Sequence, residues 1–122
     1  MIDHSFDAAS SILHLRPRDA LTKEDFAQIA KTVDPHIEKK GALTGIIIEF
    51  NAFPGWDSLG ALAAHLRFVR EHHKKVKKIA VVTDAKLGAV AEKLASHFVA
   101  ATIKHFPAAQ ADAARKWILG GG

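Results

Sequence analysis

The side chains of this sequence best suited to chemistry are two carboxylates at strand ends and eight histidines. Glu49 and Asp84 each close a predicted strand, and adjacent strand ends could bring them together as a general acid–base pair. The alternative is that both have structural roles: Asp84 caps a helix, and Glu49 faces a lysine. Because the chain contains neither cysteine nor tyrosine and has no GxSxG segment, we expect a protein without enzyme activity.

The histidines do not have the spacing of a metal site. On a helix, His65 and His72 lie about 10 Å apart along the axis, whereas one zinc ion needs donors at ~2.0–2.1 Å. The neighbouring rings of His72 and His73 point about 100° apart on a helix. No HExxH motif and no phosphate-binding glycine loop occurs. We therefore predict no metal site and no cofactor.

The densest charge is the basic run 72–78, in a chain of net charge +4. Cations at the end of a helix complement its dipole, so this run is expected to close a helix and lead into a strand. A binding patch is the alternative. The run has no interleaved aromatic residues, so we do not expect it to bind nucleic acid.

Composition indicates one globular domain. The chain has 122 residues, of which 48% are hydrophobic and 25% are charged. We assign residues 1–119 to a single domain and 120–122 to a glycine tail. No apolar run reaches the ~18 residues that span a bilayer, and the N-terminus lacks a secretory signal, so we predict a cytoplasmic protein without a membrane span.

Periodicity predicts an α/β protein with the order ββαβαβα and a terminal helix. This order implies a mixed, mostly parallel five-stranded sheet with an antiparallel edge formed by an N-terminal hairpin. We expect about four helices. The strands are predicted at residues 2–6, 12–15, 43–50, 78–83 and 102–106.

Three of the four helices carry clear signals at their ends or on one face. The first begins at a Thr22–Asp25 capping box, is kinked or restarted at Pro35, and stops at Gly41. We expect Asp84 to cap the third helix and Pro107 to open the last one. The predicted core positions of the first helix are Phe26, Ile29, Ala30, Val33 and Ile37. Those of the third helix are Leu87, Val90, Ala91, Leu94 and Phe98, and those of the last helix are Ala113, Ala114, Trp117 and Ile118.

The second helix, about 58–73, has two apolar sides. Leu59, Leu62, Ala63, Leu66 and Val69 form the stripe expected to face the sheet. Phe68 on the opposite side is either a chance exposed aromatic residue or part of a second buried surface, such as a dimer contact or the wall of a cleft. The residues predicted for this interface are Ala61, His65, Phe68 and His72.

The loop 53–56, with the sequence FPGW, follows the third strand at the sheet edge where ligands of open α/β proteins bind. Its two aromatic side chains either close the end of the core or form the wall of an apolar pocket. The residues predicted to bind a ligand at this edge are Glu49, Phe53, Trp56, Asp84 and Phe106.

These features resemble the SpoIIAA-like family, whose fold is related to STAS domains and to the lipid-binding CRAL-TRIO domain. The resemblance covers nearly the whole chain. It rests on the strand-end acid Glu49, the Gly55-Trp56 step, Phe68, the strand 78–82 followed by Asp84, and the ending with Phe106 and Trp117-Ile118. It lies mainly in the run GIIIEFNAFPGWDSLGALAAHLRFVREHHKKVKKIAVVTD.

The resemblance implies a bacterial, non-catalytic STAS-like regulatory or interaction module that binds a protein partner or a second copy of itself. The CRAL-TRIO relation implies an alternative, a carrier or sensor of a small apolar or lipid-like ligand near the loop 53–56. In classical STAS domains a serine at a helix start is phosphorylated, and Ser58 in DSLG is similar to it. Ser58 is otherwise an ordinary helix N-cap.

Overall fold

The computed structural model of the protein describes residues 1–86 and 99–120 and is built on one five-stranded sheet with the order β1-β2-β3-β4-β5. β1 and β2 are antiparallel, and the pairs β2–β3, β3–β4 and β4–β5 are parallel. The predicted mixed sheet with an antiparallel edge is confirmed. The strands are β1 (Ile2–Asp7), β2 (Ile12–Pro17), β3 (Leu43–Glu49), β4 (Val76–Val82) and β5 (Thr102–Phe106).

Three α-helices lie within the described ranges. They are α1 (Lys23–Lys40), α2 (Leu59–His72) and α3 (Ala111–Ile118). Short 3-10 turns, His73–Lys75 and Ala108–Gln110, follow α2 and precede α3. The predicted core positions Leu87, Val90, Ala91, Leu94 and Phe98 of the helix after Asp84 fall outside the described residues.

Helix α1 begins and ends as its sequence predicts. The Thr22 hydroxyl accepts from the Asp25 amide, and the Asp25 carboxylate accepts from the Thr22 amide. The helix runs as one element through Pro35 instead of restarting there, and it ends at Gly41 with φ 89°. Four of its five predicted core side chains are buried: Phe26, Ile29, Val33 and Ile37.

The sheet separates two hydrophobic cores. Side chains alternate along β3, so that Ile46 and Ile48 face α1 and α2 while Ile47 faces α3. We call the α1–α2 side the first face of the sheet and the α3 side the second face. This division decides which strand residues can reach a site on either side.

Helix α3 packs on the second face through Ala114 and Ile118, with Ala111 and Trp117 partly buried against the same core. The inclusion of Ala113 in this face was wrong, because Ala113 lies about 100° around the helix from Ala114 and is exposed. Gly120, with φ 96°, follows the end of the helix.

Gly45 on β3 should tolerate no side chain, since a Cβ there would lie 2.5 Å from Ile118 Cγ2. We expect Gly45→Ala to lower the free energy of unfolding by about 2 kcal/mol. That loss should shrink in an Ile118→Ala background, as urea titration of the double-mutant cycle would show. Gly60→Ala is the matched control, because its Cβ meets only Ser58 Oγ at 3.6 Å. An equal loss in both glycine variants would contradict the packing.

The turn of the β1–β2 hairpin is tied to α3 by the Asp7 carboxylate. It accepts hydrogen bonds from the Ser10 hydroxyl at 2.8 Å and from Arg115 Nη2 at 2.7 Å. These bonds lower the pKa of Asp7 from 3.8 to about 2.

The stabilisation from Asp7 should be complete above about pH 4 and should disappear as the pH falls toward 2, because the folded protein holds the carboxyl group in its ionised form. We expect Asp7→Asn to flatten the pH dependence of the urea midpoint in this window. Glu38→Gln removes an exposed carboxylate of α1 and is the control. Parallel curves for Asp7→Asn and wild type would rule out the contribution.

Candidate functional site

An apolar cavity of about 410 Å³ lies between the first face of the sheet and helices α1 and α2. The strands supply its floor, and the two helices and the loop 53–56 supply its walls. The residues that line it include Ile48, Phe53, His65, Phe68, Val69 and Val81.

Three histidines are the polar side chains among the described lining residues: His65, His72 and His73. All remaining described lining residues are aliphatic, aromatic or proline. A space of this size and character is typical of sites for small apolar ligands, which occupy roughly 300–1,000 Å³ and meet few polar groups.

The loop 53–56 contributes Phe53 to the wall of the cavity, and a pocket wall was one of the two roles that the sequence left open for its aromatic side chains. Phe53 lines the space, and the Trp56 ring contacts the Phe53 ring edge-on, with the two centroids 5.1 Å apart. The backbone fixes the loop to the segment before α1, because the Leu21 amide donates to Gly55 O at 2.8 Å and the Asp57 amide to Leu21 O at 3.0 Å. Gly55 has φ 77°, which favours glycine at this position.

His65 joins that loop to the helices. Trp56 Nε1 donates to His65 Nδ1 at 3.0 Å, and the His65 ring stacks on Phe26 of α1 with the centroids 4.8 Å apart. Burial lowers the pKa of His65 below its ordinary value of 6.5. The ring is therefore neutral, with its hydrogen on Nε2, because Nδ1 accepts the indole hydrogen bond.

His72 ties α2 to α1. Its Nε2 lies 2.7 Å from Asp34 Oδ1, and its Nδ1 lies 2.8 Å from the Phe68 carbonyl oxygen. The ring also stacks on Phe68, with the centroids 4.0 Å apart. These contacts hold Phe68 and His72 toward the interior and so fix the rotation of α2 about its axis.

A groove of about 600 Å³ runs along the outside of the molecule between α1 and α2. Phe26, Phe68 and His72 line both this groove and the cavity. In the described part of the chain these three side chains therefore form a wall that the cavity and the groove share. The small residues of the groove are Ala27, Ala30, Gly60, Ala63 and Ala64.

The structure does not divide α2 into the predicted sheet-facing stripe and outer interface. Ala61 and His72, assigned to an outer interface, are only 0% and 7% exposed, and Phe68 packs against the first core. Leu59 and Leu66, assigned to the core, are 85% and 63% exposed. His65, Phe68 and His72 line the cavity, and a cleft wall was one of the two roles that the sequence left open for this side of α2. They are held there because His72 pairs with Asp34 and His65 stacks on Phe26.

The structure does not bring the five predicted ligand-binding residues together. Glu49 lies on the second face, where it pairs with His14 at 2.9 Å and Arg16 at 3.5 Å. Phe106 belongs to the second core, beside α3. Asp84 accepts from the Ala108 amide at 3.0 Å. Glu49 and Asp84 thus have separate partners, and the cavity uses Phe53 of the predicted set, with Trp56 behind it.

Sequence reasoning missed the strand residues that line the cavity, such as Ile48 and Val81. Their β-branched runs predicted burial in the sheet. Nothing in such a run distinguishes a side chain packed in the core from one that faces an internal space. His65 and Phe68 gave a weak signal of this internal space, because a helix face packed fully against an apolar core would not need these two side chains.

Ser58 occupies the N-cap position that the sequence predicts. Its Oγ accepts from the Ala61 amide at 3.1 Å, and the residue is exposed. The basic run follows as the end of α2, a 3-10 turn and the start of β4, as expected for a helix terminus.

Within 1–86 and 99–120, no group of three or more histidine or acidic side chains could hold a metal ion. No helix in this part of the chain combines the length and the hydropathy needed to cross a bilayer.

The sequence pattern of the SpoIIAA-like family matches residues 12–119. The fold is similar to the crystal structure of an uncharacterised protein of the DUF3478 family with a SpoIIAA-like fold from Shewanella loihica PV-4. That match has a TM-score of 0.67 and 23% identity, over 87% of this chain and 84% of the other. No curated protein matches the chain.

The described fold is consistent with a STAS-like module, as the sequence resemblance implied. Because the family pattern covers most of its residues, the chain belongs to the SpoIIAA-like family.

Proposed function

We propose that the protein binds a small apolar or lipid-like molecule in the cavity between the sheet and helices α1 and α2, without catalysis. The observation that carries the proposal is an internal space of about 410 Å³ whose described walls are apolar apart from three histidines. Burying apolar ligand surface there gains roughly 25 cal/mol per Å². The predicted kinship with the CRAL-TRIO domain favours the same class of ligand.

Two of the histidines favour a ligand with one oxygen acceptor. His65 Nδ1 accepts from Trp56, and His73 Nδ1 accepts from the Ala100 amide at 2.9 Å. In each ring the hydrogen is then on Nε2, and no described residue accepts from it. A carbonyl or hydroxyl oxygen on the ligand would provide that acceptor. A fatty acid ester, a long-chain alcohol or a ketone has this chemistry, whereas a pure hydrocarbon lacks it.

The first test is whether the protein carries such a molecule. Native mass spectrometry of freshly purified protein, followed by organic extraction, should reveal an apolar adduct. Extracted protein should regain thermal stability with a matched set of long-chain alcohols and esters. A ligand at 100 times its Kd adds about 2.7 kcal/mol, which corresponds to a rise in Tm of about 10 °C.

We expect Val69→Phe to place a larger side chain in the cavity and to block ligand uptake while preserving Tm in the ligand-free state, because Val69 lines the cavity. Val33→Phe is the matched control. Val33 is fully buried in the first core, so the larger side chain should cost about 1–3 kcal/mol there. Thermal melts with and without ligand compare the two variants.

Equal destabilisation by the two substitutions would mean that the space at Val69 is already filled. The absence of any adduct, together with no thermal shift across the ligand set, would overturn the proposed function.

The second candidate is a STAS-like module that binds a protein partner or a second copy. The exposed position of Ser58 at the start of α2 favours it, because a phosphate there would lie beside unpaired helix N–H groups. Mass spectrometry of the protein from its native host tests this candidate. Phosphate on Ser58 would support it, and an unmodified serine in all growth conditions would count against it.

A further inference from the structure

We propose that the outer side of α2 docks on an anionic lipid bilayer. This surface, the docking stripe, consists of Trp56, Leu59, Ala63, Leu66, Arg67 and Arg70. Its purpose rests on the proposed function, because a bilayer is where a lipid-like ligand would be loaded or released. The docking itself depends on different residues from those that line the cavity.

The stripe is apolar and exposed at the N-terminal end of α2. Leu59 is 85% exposed, Leu66 is 63% exposed, and Trp56 at the helix start is 38% exposed. Leu59, Ala63, Leu66 and Arg70 recur at the i, i+4, i+7 and i+11 spacing of one helix face. Leucine and tryptophan on one side of a surface helix are the side chains that bury into the headgroup region of a bilayer.

The charge of the stripe selects an anionic surface. Residues 56–75 contain four basic residues, Arg67, Arg70, Lys74 and Lys75, against two acidic ones, Asp57 and Glu71. All four basic side chains are exposed, and none of them pairs with an acid in the described part of the chain. Each arginine or lysine near a negatively charged leaflet strengthens binding about fivefold.

A second copy of the chain fits this surface less well. A twofold contact places the same patch of each copy against the other, so the arginines of both copies would face one another. A stable interface also buries about 800 Å² on each partner, more than two leucines and the edge of one tryptophan supply.

The position of the stripe connects it with the cavity. Ala63 belongs both to the stripe and to the groove between α1 and α2. Among the described residues, Phe26, Phe68 and His72 line both that groove and the cavity. A bilayer in contact with α2 would therefore lie next to a wall that the groove and the cavity share.

Cosedimentation of the full chain with lipid vesicles tests the proposal. Vesicles of phosphatidylcholine mixed with phosphatidylglycerol should bind the protein, and vesicles of phosphatidylcholine alone should bind it far more weakly. Arg67→Gln with Arg70→Gln should reduce partitioning onto the anionic vesicles by about 25-fold. Leu59→Ser with Leu66→Ser should reduce it by at least tenfold.

Matched controls remove similar side chains elsewhere. Leu119→Ser removes another exposed leucine, and Lys104→Gln with Lys116→Gln removes two exposed positive charges from the α3 side of the sheet. Both controls should bind like wild type. Circular dichroism and Tm establish that every variant is folded.

Failure of wild type to bind the anionic vesicles would overturn the proposal. So would equal losses in the α2 and control variants. A dimer in sedimentation equilibrium that Leu59→Ser with Leu66→Ser dissociates would assign the stripe to a second copy instead. Val69→Phe separates this proposal from the cavity, because it should bind vesicles normally while taking up no ligand.

Discussion

The rotation of α2 about its own axis is the constraint on which the site depends. Apolar area alone would turn Leu59 and Leu66 toward the sheet, since each leucine buries more apolar surface than Ala61. The structure has the opposite arrangement, with both leucines in solvent. His72 bound to Asp34, and His65 between Phe26 and Trp56, hold the other face inward. Polar and aromatic contacts with α1 and the loop therefore decide which side of α2 is buried.

This orientation has two consequences. The inward face presents Phe68, His65 and Val69 to the sheet at some distance from Ile48 and Val81, and an apolar space remains between them. The outward face presents leucines and arginines to solvent. A single helix rotation thus produces both the apolar cavity and an outer surface of exposed leucines and arginines.

The sheet, α1 and the topology were predictable because their signals are local and agree with one another. The continuous run of β-branched residues along β3, the Thr22–Asp25 box and the stop at Gly41 each specify one structure. The rotation of α2 was not predictable from a helical wheel, because both of its sides are apolar. The deciding contact joins His72 to Asp34, 38 positions earlier in the chain. The cavity could not be predicted either, because Ile48 and Val81 have the same sequence signature whether they face packed side chains or an internal space.

Xenon binding in a crystal of the ligand-free protein would show whether an apolar space lies between α2 and the first face of the sheet. A dry apolar cavity takes up xenon, whereas a packed core does not. A xenon peak enclosed by Phe68, Val69 and Val81, with Leu59 and Leu66 pointing into solvent in the same map, is the predicted result. A map in which the leucines of α2 pack against the sheet, with no xenon on its first face, would contradict the account.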